Sequence, residues 1–325
     1  VRAPALLGLL AACGAPPPPP GDAVDGVALG LFASDPLYDY GEMVDEIAEL
    51  GAGAVLVVVP IDLADSRASV PVLSVPPPTL HRTLRQARAA GLSVSVMPVI
   101  DLQSRSGPGD WRGRLAPDDP ERFWAGYGAA LDRVAVAAEA GGAARLVVGS
   151  ELSSLEAEEA RWRALIGAVR GRFGGTLTYS ANWDHHAAVP FWDALDEVGV
   201  TAYQPVDGDP GAAWTEALAA AKRTAAGRPL VITEWGYPAL ASAGRRPWDE
   251  TTGAAPDAAL QADLFGAAVD ALGCAAPAAS FAWNWFGRPA DPESPFSPRG
   301  RPAADVLRSH FATDPALRCA PGQRM

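Results

Sequence analysis

Positive charge is scarce in this 325-residue chain. Lys plus Arg number 26 against 38 Asp plus Glu, a formal net charge of −12, and no Lys/Arg-rich run or aromatic-interleaved basic patch offsets the excess. A phosphate backbone would be repelled, so nucleic acid is excluded as a partner. Histidines number only four, without HxH or HExxH spacing, and no metal or other cofactor is expected. The pair His185-His186 is read as a hydrogen-bonding or exposed loop element. Ser66, Ser150 and Ser153 lack a G-x-S-x-G elbow, which leaves serine hydrolysis without support. The first apolar strand runs into Phe32-Ala33-Ser34-Asp35 rather than a glycine-rich turn, so nothing there could cradle a phosphate or a dinucleotide.

Cysteine is also rare, with three in the chain. Cys13 follows Arg2 and the apolar run 3–12, which is too short to span a bilayer but suits the n-region and h-region of an export signal. Cys274 and Cys319 could form a disulfide tying the C-terminal tail to the last large helix, or stay free with Cys274 buried. Both remain open from sequence.

Apolar residues are plentiful at 49%, enough for a sizeable core. Dense apolar runs of the kind buried on both faces of a parallel sheet recur at 26–32, 54–59, 92–100, 146–148, 175–180, 199–203, 230–233 and 279–285. Helical patterns alternate with them at 38–50, 79–90, 120–140, 154–170, 190–198, 212–226, 257–272 and 301–311. Thr79 is read as a helix cap, and Glu156, Glu158 and Glu159 as acids near the positive end of a helix. Eight of each is the count of a (β/α)8 TIM barrel. Its expected extent is 24–312, preceded by an export signal at 1–12 and by Cys13 with a Pro-rich linker at 13–23. Residues 313–325 form a tail. The loop 102–120, rich in Gly and Pro and carrying Arg105, Trp111, Arg112 and Arg114, is long enough to be functional.

The strand ends collect Asp35, Asp62, Asp101, Glu151, Asn182, Trp183, Tyr203, Gln204, Glu234, Trp235, Trp283, Asn284 and Trp285. This ring is acidic and aromatic, with amides and no lysine. Tryptophans can stack on the flat faces of sugars while carboxylates and amides take the hydroxyls. The three aspartates suit capping or sugar contact. Glu151 and Glu234 stand just past or at the end of the fourth and seventh strands. There they could face each other near the ~5–5.5 Å separation that lets one carboxylate act as acid/base and the other as nucleophile on a glycosidic bond.

Several segments resemble known sequences. Leu10-Ala11-Ala12-Cys13 is similar to the bacterial lipobox, which implies cleavage before Cys13, its lipidation, and an exported lipoprotein anchored to a membrane of the cell envelope. The motifs Val148-Gly149-Ser150-Glu151-Leu152, Tyr179-Ser180-Ala181-Asn182-Trp183, Val198-Gly199-Val200-Thr201-Ala202-Tyr203 and Ile232-Thr233-Glu234-Trp235-Gly236-Tyr237 resemble the clan A glycoside hydrolases. The similarity is to family 113, whose members are retaining endo-β-mannanases. By that resemblance Glu151 is acid/base and Glu234 nucleophile, and Tyr203 holds the nucleophile by a hydrogen bond. Asn182, Trp183, Trp283 and Asn284 would line the sugar subsites. Ser150 replaces the asparagine that precedes the acid/base in many clan members. The implied partner is a β-mannan or related glycan, acted on by a monomer. A barrel kept only for glycan binding or as an envelope scaffold is the alternative.

Overall fold

The computed structural model describes residues 24–107, 109–206, 208–285 and 294–319. The signal, Cys13, the whole linker 13–23 and the end of the tail, 320–325, lie outside the described residues.

Eight strands form the barrel: β1 (Val24–Gly30), β2 (Ala54–Leu63), β3 (Ser93–Leu102), β4 (Arg145–Ser150), β5 (Thr176–Ala181), β6 (Val198–Ala202), β7 (Leu230–Trp235) and β8 (Ala279–Ala282). Each is parallel to the next, and β1 pairs with both β2 and β8, which closes the sheet into a (β/α)8 TIM barrel. The alternation along β2 explains why the run is apolar throughout. Leu56 and Val58 join Met97, Val99, Val147, Val231 and Phe281 in the barrel interior. Val55, Val57 and Val59 join the larger cluster between strands and helices. Both faces are buried, as closed parallel sheets require.

Seven α-helices cover the barrel among the described residues: α1 (Gly41–Glu49), α2 (Pro77–Ala89), α3 (Pro120–Ala140), α4 (Glu159–Arg170), α5 (Pro210–Ala225), α6 (Ala258–Ala275) and α7 (Pro302–Ala312). Asp119, Asp209 and Asp257 cap α3, α5 and α6 by accepting backbone N–H bonds, and Pro120 and Pro210 occupy first-turn positions where no N–H is needed. Thr79 caps nothing. It lies inside α2 and donates to the Pro36 carbonyl at 2.7 Å.

Two expected helices are corrected. The segment 190–198 carries only the short turn Trp192–Ala194, so the β5–β6 crossover has 3-10 turns in place of a helix. Phe191, Trp192, Leu195 and Val198 are all buried, and this dense run of apolar side chains reads on into the next strand rather than along one face of a helix. The helix expected from 154 begins only at Glu159, after a separate 3-10 turn Ser153–Leu155. An additional two-residue strand, Val72–Leu73, lies antiparallel on β2.

Of the two possibilities for the late cysteines, the structure has the disulfide. Cys274 of α6 and Cys319 are bonded across 45 residues, a loop whose closure contributes roughly 2–4 kcal/mol. Arg318 beside it pairs with Asp25 at the base of the barrel, so the tail is tied back at two points.

Candidate active site

Gly149 shows how β4 is built to deliver its carboxylate. A Cβ there would meet Trp162 at 2.8 Å, the Tyr127 hydroxyl at 3.0 Å and Tyr179 at 3.2 Å, so only glycine lets this aromatic cluster close on the strand. Tyr127 donates to the Val148 carbonyl at 2.9 Å, fixing the strand from outside. Two residues on, Glu151 takes a left-handed φ of 54° and its N–H donates to the Ser180 carbonyl of β5 at 2.8 Å. A non-glycine residue held in that region costs roughly 1–3 kcal/mol and persists only where the surrounding structure holds it there.

The Glu151 carboxylate is buried and takes two donors. Arg112 Nη2 lies 2.7 Å from Oε2, and Thr201 Oγ1 of β6 donates to Oε1 at 2.8 Å. Glu234, on the last turn of the pleat in β7, is 1% exposed. Its Oε1 accepts from Ser150 Oγ at 3.1 Å and its Oε2 from the Tyr203 hydroxyl at 3.2 Å. Burial, and after it the charge on Glu151, pushes Glu234 up to about 7, against the pull of Arg112 and the two hydroxyls. Burial and the two carboxylates likewise raise Tyr203 well above the ordinary phenol value, so it stays a neutral donor.

A buried chain of hydrogen bonds fixes the backbone just after Glu151. The Leu152 N–H donates to the Tyr179 hydroxyl at 2.8 Å, and Tyr179 donates to Glu156 Oε1 at 2.9 Å. Glu156 Oε2 lies 2.9 Å from His185 Nδ1. Glu156 therefore does not serve a helix end, as its position before α4 suggested. Burial raises its proton affinity although His185 and Tyr179 oppose the rise. His186 pairs with Thr224 Oγ1 at 2.8 Å.

The other strand-end residues divide. Trp183 is half-buried and stacks on the exposed Trp248 at 6.2 Å with 17° between planes, and the Asn182 side chain accepts from the Trp183 N–H. Trp283 packs partly buried against the barrel interior. Trp235 and Trp285, expected to contact sugar, point the other way. Trp235 packs against Trp214 of α5 and Phe265 of α6. Trp285 donates its indole N–H to Glu46 of α1 at 2.8 Å. For Trp235 the reason is the strand's period of two: with Glu234 facing inward, its neighbour faces the helices. Asn284 is fully buried and its Oδ1 accepts from the Gly30 N–H at 3.0 Å, which makes it a brace between β8 and β1 rather than an open subsite.

Over the ends of β1, β2 and β3 lies a cavity of about 350 Å³ lined by Phe32, Asp35, Tyr40, Asp62, Asp101 and Gln103 among others. Asp62 and Asp101 are partners in register on adjacent strands, and burial together with the Asp62 charge raises Asp101. Arg112, Thr201, Glu156 and Trp248 were not singled out as site residues by sequence. Arg112 carried a signal as one of three arginines in an unusually long Gly/Pro-rich loop, and Thr201 lay within the motif 198–203 without being given a role.

Residues 73–294 match the profile of Glycoside Hydrolase Family 113. Among solved structures, a GH113 β-1,4-mannanase superposes with a TM-score of 0.80 at 19% identity, covering 90% of this chain and 100% of that one. The GH113 β-mannanase AaManA from Alicyclobacillus acidocaldarius, in complex with ManMIm, gives 0.78 at 22% identity over 90% and 97%. A GH5_18 protein from Streptomyces cattleya with bound Manβ1-4GlcNAc gives 0.61 at 17% identity over 89% and 80%. At these identities the structural likeness speaks for the fold alone. No curated protein sequence matches. The family profile spans more than half of the chain and includes both glutamates, and the chain belongs to glycoside hydrolase family 113.

Proposed function

We propose that this protein is a retaining β-glycosidase acting on β-mannan or a related β-glycan, with Glu234 as nucleophile and Glu151 as acid/base. The observation that carries the reading is the pair itself: two buried carboxylates from the ends of β4 and β7, each held by two donors that leave neither free to swing. Substrate class comes from the relatives, several of which are β-mannanases. In the first step Glu234 attacks the anomeric carbon while Glu151 gives its proton to the departing oxygen. In the second, Glu151 takes a proton from water as that water displaces Glu234, and the anomeric configuration is retained. Tyr203 and Ser150 bond one oxygen of Glu234 each, and each oxygen keeps a lone pair for attack.

The test is release of new reducing ends from a panel of mannan, glucomannan, xylan, β-glucan and peptidoglycan. Binding to one of these without any new reducing ends would replace the enzyme with the binding protein. On the glycan that is cleaved, Trp183 and Trp248 offer an aromatic platform to a sugar beyond the scissile bond. Trp248→Ala should raise KM for the polymer by up to roughly tenfold, the scale of one aromatic contact, and leave a short aryl glycoside unaffected. Equal effects on both substrates would remove Trp248 from the site.

Export and anchoring belong to the same proposal. They rest on Leu10-Ala11-Ala12-Cys13 and gain support from the Cys274–Cys319 disulfide, since such bonds persist in oxidising compartments. Cys13→Ser should move the protein from membranes into soluble exported material, and unchanged fractionation would sink the idea.

A further inference from the structure

Three non-glycine residues among those described have a left-handed φ: Glu151, Ala226 and Ala276. The two alanines end α5 and α6, where that conformation is a common helix stop. Glu151 ends no helix. It follows β4, and an L-residue leaves this conformation unless its neighbours hold it.

Backbone N–H groups flank that residue on both sides, and β5 takes both. The Glu151 N–H donates to the Ser180 carbonyl at 2.8 Å, and the Leu152 N–H to the Tyr179 hydroxyl at 2.8 Å. The second acceptor is a side chain, so a substitution can remove it while leaving the sheet intact.

We propose that Tyr179 and Glu156 are positioning residues: together they hold the backbone at Glu151 left-handed and so aim its carboxyl group at the leaving oxygen. The inference rests on the reading of Glu151 as acid/base and concerns how the root of that side chain is held.

A phenol hydroxyl has one proton and two lone pairs. Glu156 Oε1 takes the proton at 2.9 Å, which leaves a lone pair for Leu152. Donating to a carboxyl group also polarises the hydroxyl and makes it a better acceptor. Burial, and after it Glu156, lifts Tyr179 well above the ordinary phenol value, so the proton stays on the ring oxygen. The ring itself is fixed. It is fully buried, with centroids 5.1 Å from Trp162 and 5.4 Å from Phe191.

Glu156 follows the turn Ser153–Leu155 and is 2% exposed. Its Oε2 lies 2.9 Å from His185 Nδ1, and the His185 N–H donates to the Asn182 carbonyl at 2.8 Å. The loop that carries Trp183 thus braces the carboxyl group from its far side. Apolar side chains of the same shape would serve packing as well. What they would not supply is an acceptor for Leu152. Arg112 and Thr201 fix the carboxylate end of Glu151, and Tyr179 with Glu156 fixes the backbone end.

The experiment compares Tyr179→Phe, Glu156→Gln and Glu156→Leu with the wild type, each checked for folding by near-UV circular dichroism. Amide exchange of Leu152 and the backbone carbon shifts of Glu151, both by NMR, read the hold without any turnover. The kcat on the cleaved glycan and the burst rate on an activated aryl glycoside read its consequence. In Tyr179→Phe the ring stays and the acceptor goes. Leu152 exchange should quicken about tenfold, the scale of one lost hydrogen bond, and the Glu151 shifts should leave their left-handed values. The kcat on glycan should fall by about ten- to a hundredfold with KM kept, the cost of an ångström's misplacement. The aryl burst should stay within about twofold, because that leaving group needs no proton. Glu156→Gln still offers an oxygen to Tyr179 and an NH2 group to His185, and should keep most of the wild-type rate. Glu156→Leu should follow Tyr179→Phe. A purely structural role would lower both substrates alike. Unchanged Leu152 exchange in a folded Tyr179→Phe would overturn the proposal, and so would equal losses on glycan and aryl glycoside. If exchange and shifts respond as expected but the wild type cleaves no glycan, the hold on Glu151 stands and the glycosidase reading falls.

Discussion

Replacing Glu234 with alanine should abolish turnover, by more than about a thousandfold, as expected for loss of a covalent nucleophile. Added azide should restore reaction and give a glycosyl azide of inverted anomeric configuration. The side chain is 1% exposed and sits between the hydroxyls of Ser150 and Tyr203. Truncation leaves a small polar space with two donors aimed into it, which suits a compact anion. Azide then attacks once, from the face Glu234 used, and no second displacement follows to restore the configuration. The pH dependence has a defined sign. Glu234 must be ionised to attack, and burial with the Glu151 charge has pushed it from its ordinary 4.5 up to about 7. Wild-type kcat/KM should therefore fall as pH drops through the region of 7, and azide-dependent turnover of the variant should lack that limb. Product configuration read by proton NMR decides the assignment. If a demonstrably active wild type gives an inverted sugar from the start, Glu234 is not a nucleophile.

The barrel was legible because its evidence is repeated. Eight apolar runs bounded by polar strand ends survive errors of several residues at any one boundary. The carboxylates were legible for a related reason, since Glu151 and Glu234 each follow an apolar strand at the one edge where such barrels keep their chemistry. What could not be read was direction. Trp235 and Trp285 occupy strand ends as surely as Trp183 and Trp283, yet they pack on α5, α6 and α1. The inward Glu234 already implied an outward Trp235, but nothing comparable marked Trp285. Arg112 was illegible in a different way. Its role depends on a 3-10 turn folding back across the barrel mouth, and no periodicity specifies where a long loop ends up. Glu156 misled because an acidic residue ahead of a helix usually serves the helix dipole, whereas here it is buried between Tyr179 and His185.

Replacing Glu151 with alanine should separate the two steps. On a glycan, whose leaving oxygen needs a proton, kcat/KM should fall by about 10²–10⁴, the usual contribution of a positioned general acid. An aryl glycoside with a good leaving group needs no such proton, so its first step should be spared and the glycosyl-enzyme on Glu234 should accumulate. The second step lacks its base, and azide should rescue it by direct attack on that intermediate, with net retention. The local geometry favours this rescue. Alanine keeps the Cβ, so the left-handed backbone at φ 54° is no more strained than before. Removing the carboxylate leaves Arg112 and Thr201 as paired donors around the vacated space, and a buried guanidinium without its counter-ion attracts an anion. Azide should accordingly act at lower concentration in Glu151→Ala than in Glu151→Ala combined with Arg112→Gln. A burst of aryl leaving group followed by an azide-dependent steady state, with a retained glycosyl azide, is the expected record. If Glu151→Ala cleaves glycan as fast as the wild type, Glu151 is not the acid. If azide gives an inverted product in this variant, the attack does not pass through a glycosyl-enzyme and the double displacement is lost with it.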